Sequence, residues 1–335
     1  MTITYAVSRG TKINKILPFV FTALTIALIA LPKVFAIPYQ VKFVQAFILI
    51  ILATMWNLLA GFGGLVSIGQ QAFIGIGAYS LVYLADIQGI NPFIGLVLAA
   101  VICGVFAFPL SFLVFRLSGG YFAIGTWVIA EIIKLFVVQV TVLGGGSGIS
   151  FGAFAGMGRE TRIAAIYWSA LAAIFLTLLS TILLMRSKLG LALTAIRDDQ
   201  TAAGVLGVNV LRNRRTVFVL VSMGFGLAGG LVTMSNLRVQ PDDIFSVNYS
   251  AIMIFMVVIG GLGTIEGPIF GAIFYYFLQD RLKDYGTWYL IILGLLGIAI
   301  VSLAPEGLWG WISRNKVSFF ATKYRISQMN KEKGA

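Results

Sequence analysis

Residues 164–185 read AAIYWSALAAIFLTLLSTILLM and contain no charged side chain. At 1.5 Å per residue, a helix of this length extends about 33 Å. That is enough to cross the hydrocarbon core of a bilayer, which is about 30 Å thick. A second apolar run, TVFVLVSMGFGLAGGLVTM, follows at residues 216–234. The two runs predict membrane-spanning helices on either side of a polar segment at 186–215.

The composition of the whole chain agrees with these two runs. Of its 335 residues, 59% are hydrophobic and only 11% are charged, and the mean hydropathy is +0.97. Because a soluble protein carries about 25% charged residues, this chain has too little polar surface to cover a water-exposed globule. We therefore predict an all-α polytopic membrane protein.

The hydropathy pattern predicts about ten transmembrane helices, and glycines interrupt the third, eighth and ninth of them. The first follows a basic N-terminus and is interpreted as a retained span, with a cleaved signal peptide as the alternative. The predicted segments are 16–32, 43–61, 65–85, 92–115, 119–140, 164–185, 216–234, 248–262, 267–281 and 287–312.

The distribution of basic residues predicts the orientation. The net charge is +12, but the charges lie in clusters between apolar runs, which does not indicate a nucleic-acid-binding surface. With both termini in the cytoplasm, about two thirds of the 24 Lys and Arg residues fall on the cytoplasmic side, as the positive-inside rule requires. The predicted organisation is a cytoplasmic segment 1–15, a membrane domain 16–312 and a basic cytoplasmic tail 313–335. Within the membrane domain, 186–215 is an internal loop, and the glycine-rich external loop 141–163 is either a flexible linker or a docking surface.

The residue types exclude several kinds of chemistry. The chain has no histidine and a single cysteine, Cys103, so it has neither an internal disulfide nor the usual ligands for zinc or haem. The glycine run GGGSGIS at 144–150 lacks the Lys-Ser/Thr ending of a nucleotide-binding P-loop. We predict no cofactor in this chain, and any use of ATP would need a partner.

Two glycine-rich stretches resemble each other. GGLVSI at 63–68, followed by Phe73, is matched by GGLGTI at 260–265, followed by Phe270. A match this short also arises by chance, but interrupted helices in corresponding halves indicate a transporter binding site. The polar residues near these breaks either satisfy backbone groups freed by them or line a translocation pathway. They are Asn57, Ser67, Gln70 and Gln71 at the first break, and Thr264 and Glu266 at the second.

One further pathway candidate lies in the fifth predicted segment. Glu131 and Lys134 are three residues apart and therefore share one face of a helix. Ionisable groups within a membrane are costly and usually face the bundle interior or water. The pair either neutralises itself while holding two helices together, or Glu131 lies beside the pathway.

The polar segment between the first two runs contains GLALTAIRDDQTAAGVLGV at 190–208. Asp198 or Asp199 is a good N-cap for a helix from 200 to 206, and Gly207 is a good residue to follow its end. Small residues at 202–204 give this helix a face for close contact. The segment is either a solvated loop with an incidental helix or a helix that docks in a groove of a cytoplasmic partner.

Several stretches, in this order, resemble the LivM-type permease subunits of ATP-binding cassette importers for branched-chain amino acids. Each stretch is weak evidence singly, but together they span about three quarters of the chain. They are GGLVSIGQQAFIGIGAY (63–79), GGYFAIGTWVIAEIIKL (119–135), LGGGSGI (143–149), GLALTAIRDDQTAAGVLGVNV (190–210), GGLGTIEGPIFGAIF (260–274) and PEGLWG (305–310).

The resemblance implies a role for the polar segment and a set of partners. It implies that the segment carries a coupling helix that sits in an ATPase subunit, which binds the ATP and Mg. It also implies a second homologous permease subunit, two cytoplasmic ATPase subunits and an extracytoplasmic substrate-binding protein, all at a bacterial inner membrane. The residues assigned to ATPase coupling by this resemblance are Ala195, Arg197, Asp198, Asp199, Ala202 and Gly207.

We therefore expect a non-enzymatic permease subunit that moves branched-chain or other neutral amino acids by alternating access. A urea or short-amide permease is the alternative within the same class. An ATP-independent carrier or channel is less favoured, because intramembrane carboxylates for ion coupling are scarce. A membrane enzyme is disfavoured by the lack of histidine and of paired acids.

Overall fold

The computed structural model describes residues 5–8, 25, 27–32, 34–282, 285, 288–304, 306–313 and 325–328. The first half of this part contains two short strands and five long helices. They are β1 (Tyr5–Ser8), α1 (Ile37–Asn57), α2 (Gln71–Val82), α3 (Pro92–Val114), α4 (Gly120–Gln139), strand β2 (Ile149–Ser150) and α5 (Arg159–Arg186).

The second half contains both long and short helices and two further short strands. Its elements are α6 (Lys188–Asp198), α7 (Gln200–Val205), α8 (Val210–Asn236), β3 (Arg238–Val239), α9 (Pro241–Ile244), α10 (Asn248–Gly260), α11 (Glu266–Leu282), α12 (Trp288–Leu303), α13 (Gly307–Ser313) and β4 (Arg325–Gln328). Wider π-helical turns extend α1 over Leu58–Phe62 and α2 over Tyr83–Ile87.

The prediction of an all-α polytopic membrane protein is confirmed. Within the described residues, six helices are long and apolar enough to cross a membrane: Ile37–Phe62, Pro92–Val114, Gly120–Gln139, Arg159–Arg186, Val210–Asn236 and Pro241–Gly260. Helices α5 and α8 begin before their apolar runs, at 159 and 210, and α1 does so at 37, where a proline occupies the first turn.

The remaining predicted segments differ from simple spans. The third, 65–85, begins as irregular chain and becomes helical only at Gln71. The tenth, 287–312, is divided between α12 and α13, and the ninth matches α11. The first, 16–32, lies mostly outside the described residues. A total of ten helices therefore stays a prediction.

Helices α1 and α8 form the centre of the bundle and are the most buried of the spans. Helix α8 contacts α2 through glycines. A Cβ atom on Gly77 would collide with the backbone of Gly226, and one on Gly229 would collide with the carbonyl oxygen of Ile74. Lipid is as apolar as a side chain, so membrane helices gain from backbones that approach this closely. In contrast, α4 is the least buried of the six spans.

The glycine-rich segment 141–158 packs against the end of α8. Strand β2 pairs with β3 in antiparallel register, with Ile149 opposite Val239, and the amide of Phe151 donates to the carbonyl of Leu237 at 2.8 Å. Phe151 and Phe154 are each 4% exposed. These contacts favour a docked surface element over a flexible linker.

A second small sheet joins residues near the two ends of the chain. Strand β1 pairs with β4 in antiparallel register, from Tyr5 opposite Gln328 to Ser8 opposite Arg325. Two hydrogen-bonded strands outside the spans must lie on one side of a membrane. This pairing is consistent with the prediction that both termini share a side.

Candidate coupling site and glycine breaks

The polar segment between α5 and α8 forms two helices, α6 and α7, where the sequence predicted one. The carboxylate of Asp199 makes the division, because it accepts hydrogen bonds from the amides of Thr201 at 2.8 Å and Ala202 at 2.9 Å. Asp199 is thus the N-cap of α7, one of the two candidates that the sequence proposed.

Helix α7 ends as the sequence predicted. Gly207 has φ +84°, a left-handed conformation that favours glycine. Its amide donates to the carbonyl of Gly204, and the amide of Val208 donates to that of Ala203, both at 3.0 Å. This pair of bonds is the Schellman arrangement, which satisfies the carbonyls at a helix end. Helix α7 is therefore a capped unit.

The exposed surface of α7 is more apolar than the sequence suggested. Val205, the last residue of α7, is 85% exposed, and Leu206, its C-cap, is 82% exposed. Ala202 and Gly204 are also exposed, but Ala203 is buried against the rest of the chain. Of the predicted small-residue face, Ala203 thus lies against this chain, Ala202 and Gly204 stay open to a partner, and the outermost surface is a Val-Leu tip.

Arg197, in the last turn of α6, connects this segment to the membrane helices. One terminal nitrogen, Nη1, donates to the carbonyl of Gly61 at 3.0 Å, whereas Nε and Nη2 donate to Asp198 at 3.1 and 2.9 Å. A Cβ atom on Gly64 or Gly263 would lie 3.2 Å or 3.0 Å from the Arg197 side chain. Both glycines have positive φ, so Arg197 lies against both breaks.

The two breaks contact each other through Asn57. Its amide nitrogen donates to the carbonyl of Thr264 at 2.7 Å, and its carbonyl oxygen accepts from the amide of Gly263 at 2.8 Å. Asn57 is 1% exposed. A Cβ atom on Gly61 would lie 2.6 Å from the backbone nitrogen of Gly263, so only glycine allows this approach. The similarity between residues 63–68 and 260–265 thus has a structural counterpart.

Ser67, Gln70 and Gln71 form a buried polar cluster beyond the first break. The Gln70 amide donates to the Ser67 hydroxyl at 2.9 Å, and the Ser250 hydroxyl of α10 lies 2.7 Å from Gln71 Oε1. Thr126 of α4 accepts from the amide of Ile68 at 3.3 Å. Gln70 Oε1 and Gln71 Nε2 are buried without a partner, which is costly.

At the second break, Thr264 precedes α11 and Glu266 is its first residue. The Thr264 hydroxyl donates to the carbonyl of Gly261 at 2.8 Å and accepts from the amide of Gly267 at 3.0 Å. Glu266 is 6% exposed and is engaged by an interaction within the fold. Around both breaks, polar side chains thus satisfy backbone groups, which was one of the two interpretations of the sequence.

Glu131 is separated from this cluster. Lys134 pairs with Glu131 at 2.8 Å and approaches Asp242 of α9 at 3.7 Å. Because α9 follows the C-terminal end of α8 and Arg197 precedes its N-terminal end, this ion pair lies toward the opposite end of the bundle. The geometry fits a self-neutralising pair, and a pathway role for Glu131 stays a prediction.

The sequence did not predict Ser250, Thr126 or Gly61 as partners of these residues. Ser250 and Thr126 lie in separate apolar helices, and single hydroxyls are common in such helices. Gly61 contributes its backbone carbonyl, a group that every residue has, so the residue type does not predict the contact. The closeness of both breaks to Arg197 is a tertiary feature.

Comparisons with known proteins give the class of the molecule. The family model described as the branched-chain amino acid transport system permease component matches residues 42–301. The high-affinity branched-chain amino acid transport system permease protein LivM of Salmonella typhimurium is 29% identical over 287 residues, which cover 78% of this chain and 67% of that protein.

More distant relatives are also permeases. A probable branched-chain amino acid transport permease protein LivM of Methanocaldococcus jannaschii is 22% identical over 276 residues, covering 73% of this chain and 80% of the relative. The ribose import permease protein RbsC of Haemophilus influenzae is 31% identical over 134 residues, covering 38% and 41%. No solved structure matches the chain.

Fold and relatives together define a multi-pass transport permease of the inner membrane. More particularly, the chain belongs to the branched-chain amino acid transport system permease family, since the family model covers most of its length. The resemblance to the LivM type is therefore confirmed.

Proposed function

We propose that the chain is one permease subunit of an ATP-binding cassette importer for branched-chain or other neutral amino acids. The complete importer contains a second homologous permease, two cytoplasmic ATPase subunits and an extracytoplasmic substrate-binding protein. ATP and Mg are bound by the ATPases, and this chain alternates between inward-open and outward-open states. Family membership supports the class of protein. The names of the two relatives that match about three quarters of this chain support the substrate.

The contact of Arg197 with the carbonyl of Gly61 is the observation that carries the mechanism. Helix α7 is capped at both ends, so it moves as a unit when an ATPase surface presses on it. Arg197 precedes α7 directly and lies against both glycine breaks. Movement of α6 and α7, here called the coupling segment, is thereby transmitted to the two breaks, which separate α1 from α2 and α10 from α11. In this proposal the coupling residues are Ala195, Arg197, Asp198, Asp199, Ala202 and Gly207.

We extend the proposal to the polar residues at the breaks. Two buried amide atoms, Gln70 Oε1 and Gln71 Nε2, are without partners in this conformation. A rearrangement of the breaks that gives them partners would recover free energy and expose the cluster to a passing substrate. The proposed pathway residues are Asn57, Ser67, Gln70, Gln71, Glu131, Thr264 and Glu266.

Uptake by the complete importer in proteoliposomes tests the proposal. We expect uptake of leucine, isoleucine or valine that requires the binding protein outside and ATP with Mg inside. A complex with a catalytically inactive ATPase is the control. Uptake that proceeds without ATP contradicts the importer mechanism and favours a secondary carrier. Uptake of urea or acetamide in preference to every amino acid contradicts the substrate assignment alone.

A further inference from the structure

Two arginines lie where α3 and α8 meet, at the end of the bundle nearest the coupling segment. The two helices pack antiparallel, because Leu96 of α3 approaches Gly230 of α8, whereas Phe112 approaches Arg215. The guanidinium carbon of Arg215 lies 3.9 Å from the centre of the Phe112 ring, which is a cation–π contact. Arg116 comes four residues after Phe112, in the turn that ends α3, and therefore lies beside the first residues of α8.

These seam arginines, Arg116 and Arg215, have no carboxylate partner in the described part of the chain. The Nε atoms of Arg215 and of its neighbour Arg214 are buried without an acceptor. The two acids of the coupling segment are engaged elsewhere, because Asp198 pairs with the arginine before it and Asp199 caps α7. A buried donor without a partner is costly, so an anion from outside the chain would stabilise this region.

An apolar stripe on α3 leads away from the seam arginines. Its members, Val105, Phe108 and Phe112, share one helix face, and all three are exposed. Phe108 and Phe112 contact each other edge to face, with ring centres 5.3 Å apart. Because α3 is an apolar span, an exposed face at this depth meets acyl chains. The α3 stripe and the arginines at its end match a molecule with an apolar tail and an anionic head.

We propose that the seam arginines bind the phosphate of an anionic phospholipid and that the α3 stripe binds its acyl chain. A guanidinium forms paired hydrogen bonds to phosphate oxygens, and basic pockets between membrane helices bind anionic head groups. Arg215 lies beside Phe112, before the end of α3, where a lipid head group reaches it and a soluble protein does not. The bound lipid holds α3 to the first turns of α8. Its binding does not rest on the proposed function.

Counting bound lipids by native mass spectrometry tests the site. The purified chain in detergent is titrated with phosphatidylglycerol, or with phosphatidylcholine that has the same acyl chains. Phosphatidylcholine keeps the phosphate and the tails but has no net charge. Inorganic phosphate, which lacks the tails, is added as a competitor. We expect phosphatidylglycerol to bind more tightly than phosphatidylcholine, and inorganic phosphate to leave its binding unchanged.

Substitutions at the seam complete the test. Arg215→Gln and Arg116→Gln should each weaken phosphatidylglycerol binding about fivefold, which corresponds to ~1 kcal/mol for one arginine beside an anionic lipid. Phe112→Leu should also weaken it, because leucine is apolar but has no ring for the guanidinium. Arg186→Gln is the matched control, because Arg186 is an exposed arginine at the end of another span, α5.

The unfolding midpoint of each variant without lipid shows whether it is folded. If Arg215→Gln does not fold, the comparison of Arg116→Gln with Arg186→Gln decides the same question. Selective loss of phosphatidylglycerol binding in the seam variants supports the site, whether or not the complex imports an amino acid.

Four outcomes overturn the inference. Equal binding of phosphatidylglycerol by wild type and folded seam variants removes the site. Equal binding of phosphatidylcholine and phosphatidylglycerol by wild type removes the anionic head group. Displacement of phosphatidylglycerol by inorganic phosphate removes the role of the α3 stripe. Loss of co-purified ATPase subunits from Arg215→Gln, with phosphatidylglycerol binding unchanged, assigns Arg215 to a protein partner instead.

Discussion

At the scale of single residues, two side chains hold the site together. Asn57 bridges the two breaks, and Arg197 connects them to the coupling segment. Both act through backbone groups of glycines, whose lack of a Cβ atom leaves room for the contact. The sequence predicted Asn57 as functional from its type and its position beside a break, and the family resemblance assigned Arg197 to coupling. It could not predict that they share one site, because the two are 140 residues apart in the chain.

Replacing Asn57 with Ala should destabilise the protein. The amide of Gly263 would be left buried without its acceptor, at a cost of about 1–3 kcal/mol. We expect a lower midpoint of thermal unfolding, measured by fluorescence of the purified protein. Asn213→Ala is the control, because Asn213 bonds only within the first turn of α8, to Asn209. Equal midpoints for wild type and Asn57→Ala would show that the bridge is dispensable.

Replacing Arg197 should uncouple ATP hydrolysis from transport. Arg197→Glu places a carboxylate against the Gly61 carbonyl, and Arg197→Lys keeps the charge but loses the fork that reaches Gly61 and Asp198 together. We expect uptake to be abolished by the first and reduced by the second, with normal membrane insertion. Arg212→Glu, on the exposed first turn of α8, is the control. Uptake at the wild-type rate by a complex that carries Arg197→Glu would contradict the coupling role.

At the scale of elements, α7 is the part of the fold whose ends the sequence predicted best. Asp199 and Gly207 are local signals, since each lies beside the end of α7 that it caps. The sequence did not predict α6 as a separate helix. Most residues around Asp199 are helix-forming, and only the Asp199 cap divides them into α6 and α7. The sequence also missed the exposed tip of Val205 and Leu206, whose burial depends on what surrounds them.

The tip of α7 should be needed for docking. An 82% exposed leucine in a cytoplasmic loop gains free energy when a partner covers it, and Leu206→Glu removes that gain and adds a charge. We expect the variant to insert normally but to lose the ATPase subunits during purification. Leu211→Glu is the control, because Leu211 is exposed outside α7. Co-purification of Leu206→Glu with ATPase at the wild-type ratio would contradict docking through this tip.

At the scale of the whole molecule, the coupling segment precedes α8, whereas the glycine-rich segment 141–158 packs against the end of α8, so the two lie at opposite ends of the bundle. The positive-inside rule predicts that the first is cytoplasmic and the second is external. The β1–β4 pair agrees with an even number of spans, since it requires both terminal segments on one side. The charge distribution therefore supports the orientation, and the strand pair supports terminal segments that share a side.

Cysteine labelling should show this orientation. Cys103 is buried and is the sole native cysteine, so the wild-type chain provides a low background. An impermeant maleimide applied to right-side-out vesicles should label Ser150→Cys in the loop after α4 and leave Thr201→Cys in α7 unlabelled. Inside-out vesicles should give the reverse pattern. Labelling of both positions from the same face would refute the proposed topology.

The sequence alone determined the membrane class, most of the spans, the caps of α7 and the family resemblance. These properties depend on local composition and short-range hydrogen bonds, which a single stretch of chain contains. Only the tertiary structure decided that the two glycine breaks meet at Asn57, that Arg197 contacts both, and that Arg215 lies over the ring of Phe112. Each of these depends on groups from helices that are distant in the chain. Their packing is fixed by contacts between backbones and side chains that no local pattern records.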